Sequence, residues 1–310
     1  METLDLRAKR WTFIVNPVAG AGYAAAYEPE ARREAAARGL DASFVLTEGK
    51  GHASELAEKA AKRGDGVVAV IGGDGTLSEA ASTLAGTGTV LAPISAGTGN
   101  DFVSITGFSQ HFRAQDWDAL LKGSIARMDL GTCNGKRFIN GIGFGFDAEV
   151  AAANYGEDGA VKQGGKNKYI WHILKTLVGY TESSARYSVD GKDFDGLSFL
   201  NTVAVGRRMA GGLHLTPDAI ADDGYLDFCR IDRLSLLERL RYLVAVIKKN
   251  HGSLAKTHFS LIESLRVDFG REAPYHVDGE VFFAKTLHVG IEKGALLIAI
   301  DPARPNAFSN

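Results

Sequence analysis

The stretch IGGDGTLSEA, residues 71–80, places an acidic side chain inside a cluster of glycines. Gly72, Gly73 and Gly75 surround Asp74, directly after an apolar run that predicts a strand over 66–73. A glycine-rich loop between a strand and a helix is typical of anion binding through backbone N–H groups. Because a carboxylate repels phosphate oxygens, either this loop is not a phosphate site, or a divalent metal or a hydroxyl donor of the ligand neutralises the acid.

The sequence before and after this loop alternates strands and helices. The predicted strands are 11–16, 42–47, 66–73 and 89–95, and the predicted helices are 24–38, 52–64 and 77–86, the last capped by Thr76. This order predicts a parallel sheet with helices on both faces, whose ligands bind at the carboxyl ends of the strands. The loops NPVAGAG, LTEGKG, GGDGT and SAGTGND all follow strands, so we expect four loops to meet at one edge.

The pattern changes after about Asp129, which indicates a second, mostly β domain. Short strands with Gly, Asp and Pro turns are predicted for KRFINGIGFGFDAEV, RYSVDGKDF, LSFLNTVAVG, GGLHLTP, DGYLDFCRI, SLRVDF, YHVDGEVFF and LHVGI. Helices are predicted near 166–180 and 234–250, and a last strand over 295–302. A length of 310 residues also favours two domains over one.

Composition narrows the class of protein. The chain is 45% hydrophobic and 23% charged, with a formal net charge of −2, which gives no indication of nucleic-acid binding. Cys133 and Cys229 have neither a disulfide framework nor zinc-ligand spacing, which fits a reducing, cytoplasmic location. No apolar run reaches transmembrane length. If the substrate is a lipid, we therefore expect peripheral contact with the membrane surface.

The stretch GTGND, residues 97–101, repeats the design of GGDGT. It combines glycines with a hydroxyl group in Thr98 and an acid in Asp101, again just after a predicted strand. Two such loops on neighbouring strands suggest nucleotide phosphates with a metal nearby. A weak dinucleotide fingerprint begins at Gly20, but it does not explain the two acid-bearing loops. The P-loop pattern is absent.

Three later stretches have both a structural and a functional interpretation. HVDGEVFF (276–283) predicts a hairpin, and Glu280 beside its tip is a candidate proton acceptor. ADDGYLDF (221–228) contains acids that bind a cation or face water, and spacing alone favours water. ERLRYLVAVIKKN ends in Lys248 and Lys249, and such a helix either contacts anionic lipid or, more commonly, packs in a core.

Together these residues resemble the soluble diacylglycerol kinase family, which includes bacterial lipid kinases and the catalytic domains of sphingosine and ceramide kinases. The matching motifs are VNPVAG, GGDGTLSEA, GTGNDF, FINGIGFGFDAEV, GGLHLTPDAIADDGYLDF and VDGE, which span nearly the whole chain. GGDGT alone also occurs in NAD kinases and phosphofructokinases. GGDGT together with GTGNDF, DDGYLD and a late DGE is specific.

The resemblance implies an α/β plus all-β fold, with a phosphofructokinase- and NAD-kinase-like α/β domain over 1–129 and a β-sandwich lipid-substrate domain over 130–295. The segment 296–310 would return to the first domain. The resemblance also implies an ATP- and Mg²⁺-dependent kinase of a lipid hydroxyl, most similar to diacylglycerol kinases. The implied nucleotide-site residues are Asn16, Thr47, Gly72, Gly73, Asp74, Gly75, Thr76, Thr98, Asn100 and Asp101.

By the same resemblance, Glu280 would accept a proton from the lipid hydroxyl and Asp278 would support it. Asp223, with the backbone oxygens of Ile220 and Tyr225, would hold a structural magnesium ion. Asp74 would then be tolerated because Mg²⁺ bridges it to the phosphates, or because it orients a loop or a ribose hydroxyl.

Three alternatives remain open at this point: a kinase of a soluble hydroxyl acceptor such as NAD, a non-catalytic nucleotide or lipid sensor, and an NAD(P)-binding oxidoreductase. The sequence gives neither the acceptor lipid nor the oligomeric state, so a homodimer also stays open.

Overall fold

The computed structural model describes residues 2–154, 175–209 and 211–309, and one β-sheet runs through both halves of the chain. The strands are β1 Glu2–Thr3, β2 Arg10–Val15, β3 Asp41–Leu46, β4 Val67–Gly72, β5 Val90–Ser95, β6 Ser124–Cys133, β7 Lys136–Phe138, β8 Gly141–Gly145, β9 Ser184–Val189, β10 Lys192–Ala204, β11 Leu226–Asp232, β12 Thr257–Ile262, β13 Ser264–Val277 and β14 Glu280–Ala299. The helices are α1 Tyr23–Ala37, α2 His52–Lys62, α3 Asp74–Leu84, α4 Val103–Thr106, α5 Ala114–Leu121, α6 Phe146–Asn154 and α7 Leu236–Ile247.

The N-terminal half is a parallel sheet in the order β3-β2-β4-β5, covered by helices on both faces. Every residue of β4 and β5 is buried, which explains why both strands are continuous apolar runs rather than alternating ones. Trp11 and Phe13 pack on one face with α1 and α5, including Trp117. Ile14 packs on the other face with α2 and α3, including Leu77. The predicted α/β architecture is confirmed.

The C-terminal half is antiparallel, in the order β12-β11-β10-β8-β13-β14. Strands β10 and β13 each pair with β8 along one part of their length and with β9 along another part. The strands therefore fold over one another around a shared apolar interior, which confirms the predicted sandwich-like domain.

Strand β14 joins the two halves. It pairs with β13 and β6 antiparallel, and near its end Ile298 pairs with Leu91 of β5 in parallel. The register with β6 shifts between Glu292 and Leu296, where Gly294 has a φ of +56°, and such a bulge bends a strand. The strand predicted over 295–302 is therefore the end of this long strand and not a separate element.

Three predictions about secondary structure were wrong. Helix α3 begins at Asp74 with Gly73 as its N-cap, so Thr76 lies in the first turn and does not cap the helix. The FDAEV stretch begins α6, because Gly145 ends β8 with a φ of +97° and the alanine-rich sequence after it favours a helix. GGLHLTP forms no strand; only an isolated bridge joins Met209 to Leu213.

The predicted helix near 234–250 is confirmed as α7. Of the helix predicted near 166–180, residues 175–179 are helical, Tyr180 follows the end of the helix, and residues 166–174 lie outside the described residues. Within the part of the chain that the structure describes, no helix combines the length and apolar character needed to cross a membrane.

Candidate active site

The carboxyl ends of β2, β3, β4 and β5 lie side by side at one edge of the parallel sheet. Val15 pairs with Leu46 and with Ile71, and Gly72 pairs with Ser95, so the strands end together. The four loops after these strands therefore share that edge, as the strand order predicts. They carry the residues assigned by resemblance to the nucleotide: Asn16, Thr47, Gly72, Gly73, Asp74, Gly75, Thr76, Thr98, Asn100 and Asp101.

The GGDGT loop forms the amino end of α3. Gly73 is the N-cap without a side-chain cap, so the first backbone N–H groups of α3 lack partners within the helix. Gly75 is exposed, and no atom lies within 4 Å of the position that a Cβ would take there. Asn16 Nδ2 donates to Thr76 Oγ1 at 2.9 Å, which ties the loop after β2 to this turn. Open space beside unpaired donors suits an anion.

Asp74 connects the two acid-bearing loops. Its carboxylate accepts hydrogen bonds from the backbone N–H groups of Asp101 at 3.1 Å and Phe102 at 3.0 Å. Two backbone donors, together with the position in the first turn of α3, stabilise the negative charge. The acid is therefore tolerated among the glycines because it orients the neighbouring loop, which is one of the explanations considered from the sequence.

The two glycine loops touch through their backbones. A Cβ on Gly97 would lie 2.5 Å from Gly73 Cα, so only glycine fits at this contact. Asn100 shapes the second loop with a φ of +51°: its side chain accepts from Gly97 N and donates to Gly97 O, both at 2.9 Å. These glycines therefore serve loop packing, whereas Gly75 faces open space.

Asp101 reaches from the loop edge of the parallel sheet to the C-terminal half. Its side chain is buried, accepts a hydrogen bond from Gly211 N at 2.7 Å and lies 3.5 Å from Arg208 Nη2. Burial raises the pKa of Asp101, and the nearby charge of Asp74 adds to the increase. The side chain therefore links the two halves beside the candidate site.

Asp278 occupies the tip of the β13–β14 hairpin and is surrounded by donors. It accepts hydrogen bonds at 3.0 Å from the N–H groups of Ile139, Asn140 and Gly141, and one at 2.7 Å from the Ser78 hydroxyl of α3. Burial raises the pKa of this carboxylate, and the four donors oppose that increase. With both oxygens engaged, Asp278 braces the hairpin against the N-terminal half.

Glu280 follows two residues later and is more open. Its side chain is 45% exposed and forms an ion pair with Lys50, with 2.9 Å between Oε1 and Nζ. Lys50 belongs to the loop after β3, so this pair bridges the two halves across the cleft. Gly279, one residue before, lines the cavity described next.

A cavity of about 480 Å³ lies between the halves. Its polar end includes Asp74, Asp101 and Asp278. Most of the remaining wall is apolar, and much of it comes from one packed cluster: Phe146, Phe199, Leu215, Ile231, Tyr242 and Val246. The cavity therefore joins the acidic ends of the loops to a chamber suited to hydrocarbon.

His276 and Asp147 form a polar pair in the cavity wall that we did not identify from the sequence. His276 Nε2 lies 3.1 Å from Asp147 Oδ2, and His276 Nδ1 is buried without a partner among the described residues. Gly143 leaves room for the pair, since a Cβ there would come within 2.3 Å of both side chains. The sequence did contain one signal for His276: it lies two residues before Asp278, and alternate residues of a strand point to the same face of the sheet.

The loop that contains Asp223 lies apart from the cavity. Asp223 Oδ1 accepts from Tyr225 N at 3.0 Å, and the neighbouring Asp129 accepts from Gly224 N at 2.7 Å. Asp227 Oδ2 is buried without a partner in the described chain, and burial, with Asp223 nearby, raises its pKa to about 7. Within the described ranges, no three His, Cys, Asp or Glu side chains gather as a metal site.

Comparisons with known proteins agree with this architecture. The family model for the diacylglycerol kinase catalytic domain matches residues 10–133. The model for the YegS C-terminal NAD kinase beta sandwich-like domain matches residues 140–300.

Individual relatives span almost the same length. A diacylglycerol kinase of Bacillus subtilis (strain 168) is 26% identical over 275 residues, covering 88% of this chain and 90% of that protein. A "Probable lipid kinase YegS-like" protein of Pseudomonas aeruginosa (strain UCBPP-PA14) is 31% identical, covering 91% of this chain and 90% of that protein. In fold, the chain is similar to the crystal structure of a diacylglycerol kinase from Bacillus anthracis str. Sterne, with a TM-score of 0.73, 20% identity and coverage of 96% and 98%. From both domain matches and these relatives, we conclude that the chain belongs to the diacylglycerol kinase family and is a lipid kinase.

Proposed function

We propose that this enzyme transfers the γ-phosphoryl group of ATP to a hydroxyl group of a diacylglycerol-like lipid, with Mg²⁺ as the metal. The observation that carries the proposal is the cavity, whose polar end lies at the glycine loops and whose remaining wall is mostly apolar. In this proposal residues 1–129 with 296–310 form the nucleotide domain, and residues 130–295 form the lipid domain.

The loop edge of the parallel sheet would bind ATP. The free N–H groups in the first turn of α3 would donate to phosphate oxygens beside Gly75. Asp74 and Asn100 would keep the two loops in position, while Thr47 and Thr98 supply hydroxyl groups nearby. The nucleotide residues predicted from the sequence fit this role as one contiguous group.

The apolar part of the cavity would hold the acyl chains of the acceptor. Burial of methylene groups is favourable by about 0.8 kcal/mol each, so a long-chain lipid gains much of its affinity there. The His276–Asp147 pair lies in the same wall. We propose that it hydrogen-bonds a polar group of the glycerol backbone and turns the reacting hydroxyl toward the acidic end.

Glu280 is the proposed proton acceptor, with Asp278 holding the hairpin that carries it. The Lys50 ion pair must open before Glu280 can accept a proton from the lipid hydroxyl. Lys50 can then pair with a phosphate oxygen, because it lies on one of the nucleotide loops. Phosphoryl transfer depends mainly on such positioning and on charge neutralisation.

The residues near Asp223 fit a structural cation. We propose that Asp223 and the backbone oxygens of Ile220 and Tyr225 hold Mg²⁺, supported by the unpaired, buried oxygen of Asp227. A divalent cation there would stabilise neighbouring carboxylates that otherwise repel one another. At the reaction centre, Mg²⁺ bound with ATP would neutralise phosphate charge.

The test is transfer of label from γ-labelled ATP, with Mg²⁺, to a panel of lipids in mixed micelles and to NAD. We expect label on diacylglycerol and its loss in Glu280→Gln. The matched control is Glu263→Gln, because Glu263 is similarly exposed and forms an ion pair with Lys293 at 2.8 Å. Label on NAD alone, or ATP binding without transfer to any acceptor, would refute the proposal.

A further inference from the structure

Helix α7 has two apolar faces, and one of them is exposed. At about 100° per residue, Leu236, Leu237, Leu240, Val244 and Ile247 all fall within one arc of roughly 100°. Each of these side chains is at least 47% exposed, and Leu237 is 81% exposed. A surface helix normally turns its apolar arc toward the core and its polar side toward water. This arc instead faces outward.

Strand β12 extends the same apolar face. Phe259 pairs with Cys229, and Cys229 packs with Tyr242 and Val246 of α7. Because cross-strand partners share a face of the sheet, Phe259 and Leu261 lie on the face that carries α7. Their exposed fractions are 45% and 55%. We define the α7–β12 surface as the exposed residues Leu236, Leu237, Leu240, Val244, Ile247, Phe259 and Leu261.

The rim of this surface is positively charged. Residues 232–261 contain six lysine and arginine residues and two acids, in a chain of net charge −2. Arg239 is buried against Glu182 and Lys256 pairs with Glu238. The exposed bases that remain are Arg233, Arg241, Lys248 and Lys249. Both acids already form ion pairs, Asp232 with Arg230 and Glu238 with Lys256. By the helical rotation, Arg241 and Lys248 lie within about 40° of the edge of the exposed arc. Because a second copy would bring the same positive rim against this one, the charge favours an anionic partner.

The opposite face of α7 belongs to the candidate active site. Tyr242, Leu243 and Val246 line the cavity. Leu243 lies between this inner face and the outer arc in helical rotation, so apolar side chains continue from the exposed surface to the cavity wall. A partner on the α7–β12 surface therefore lies next to the acceptor chamber.

We propose that the α7–β12 surface docks on an anionic lipid bilayer, with its apolar side chains in the acyl region and its basic rim at the headgroups. This inference rests on the proposed function, since it supplies the route by which a lipid acceptor reaches the cavity. Docking orients the enzyme so that the acceptor passes along α7 without crossing water.

The first experiment measures sedimentation of the full-length protein with phosphatidylcholine vesicles, with and without phosphatidylglycerol, in the absence of ATP. Each large apolar side chain removed from the bilayer should lower partitioning by about tenfold or more. The test variant is Leu237→Ser/Val244→Ser, and Arg241→Glu/Lys248→Glu tests the basic rim. The control is Leu46→Ser, which changes a 53% exposed leucine on the edge strand β3.

The second experiment compares phosphorylation of a long-chain diacylglycerol in vesicles with that of a short-chain, dispersed diacylglycerol. We expect Leu237→Ser/Val244→Ser to lose activity on vesicles and to keep it on the dispersed acceptor. Wild-type protein that fails to bind anionic vesicles, or a variant that binds like wild type, overturns the proposal. The proposal is also overturned if the wild-type protein is a dimer without lipid and the variant is a monomer, because a second copy of the chain then covers the surface. Vesicle binding without any kinase activity would instead refute the proposed function alone.

Discussion

Replacing Asp278 with Asn distinguishes two possible roles of this residue, that of a structural brace and that of a catalytic acid–base group. Asn is close in shape to Asp and also tolerates the left-handed conformation, so the φ of +46° at this position adds no new strain. What changes is the number of acceptors. The carboxylate accepts hydrogen bonds from Ile139, Asn140, Gly141 and Ser78, and an amide offers one oxygen in place of two.

The loss follows from these four contacts. Oδ2 accepts from Ile139 N and the Ser78 hydroxyl. If an amide nitrogen takes that position, the hydroxyl can turn and accept, but the Ile139 N–H is left unpaired, which costs about 1–3 kcal/mol. The remaining two bonds lose their charge assistance, at about 1 kcal/mol each. Removal of a buried charge offsets part of this loss, because burial raises the Asp278 pKa. We expect about 3 kcal/mol of destabilisation.

The assay is thermal unfolding followed in parallel with lipid phosphorylation. Asp278→Asn should lower Tm by on the order of 5 °C, and activity per folded molecule should fall because the hairpin with Glu280 shifts. Ser78→Ala removes one of the four contacts and should show a smaller change in both quantities. Asp268→Asn, in a partly exposed bulge of β13, is the control and should leave Tm nearly unchanged. If Asp278→Asn keeps the Tm of the wild type but loses all turnover, the structural role of Asp278 is refuted.

Three further predictions follow from the same contacts. Gly97→Ala should destabilise the protein by about 1–3 kcal/mol, because the added Cβ would lie 2.5 Å from Gly73 Cα in the facing loop. Gly75→Ala should leave the stability unchanged and weaken ATP binding, which calorimetry measures. The pKa of Glu238 is lowered from 4.5 to about 2, chiefly by its hydrogen bond to Lys256. The ionised side chain therefore stabilises α7 above pH 4.5, and this stabilisation is lost as the pH falls toward 2. Glu238→Gln should show a smaller fall in Tm than the wild type across that pH range. Removal of divalent metal with EDTA should lower the Tm of the wild type. It should leave the Tm of Asp223→Asn unchanged, because this variant lacks the proposed metal ligand.

The outcomes that contradict these predictions are distinct. Equal Tm values for Gly97→Ala and Gly75→Ala would show that the glycine loops are not in backbone contact. If Tm depends on pH in the same way in Glu238→Gln and in the wild type, Glu238 is not the source of the acid sensitivity. An EDTA effect that persists in Asp223→Asn would place the stabilising cation elsewhere in the protein.

Most of the fold was predictable because the local patterns and the tertiary structure agree. Buried parallel strands such as β4 appear as continuous apolar runs, and parallel order alone brings their loops to one edge. The errors lie where tertiary contacts decide. Thr76 has the side chain of a helix cap, but Gly73 can approach Gly97 closely, and the helix therefore starts three residues earlier than the pattern suggests.

The candidate site was predictable only in its loops. GGDGT, GTGND and the hairpin acid each stand out within a few residues of sequence. The pair His276–Asp147 joins residues 129 positions apart, and Asp278–Ser78 joins residues 200 apart. No spacing rule connects such distant positions, because only the packing of the two halves brings them together.

The acids of this site share one physical role. Asp74 accepts backbone N–H groups from the loop after β5, Asp101 accepts one from Gly211, and Asp278 accepts three from the 139–141 segment. In each case a carboxylate on one segment fixes the backbone of another, and backbone donors offset the cost of placing three acids at one end of a cavity. Two contacts of these acids join the halves, Asp101 with Gly211 N and Asp278 with the Ser78 hydroxyl, so separation of the halves would take one donor from each of these two acids. The acids therefore position the glycine loops against the cavity wall, and in the proposed mechanism proton transfer falls to Glu280, whose side chain is 45% exposed.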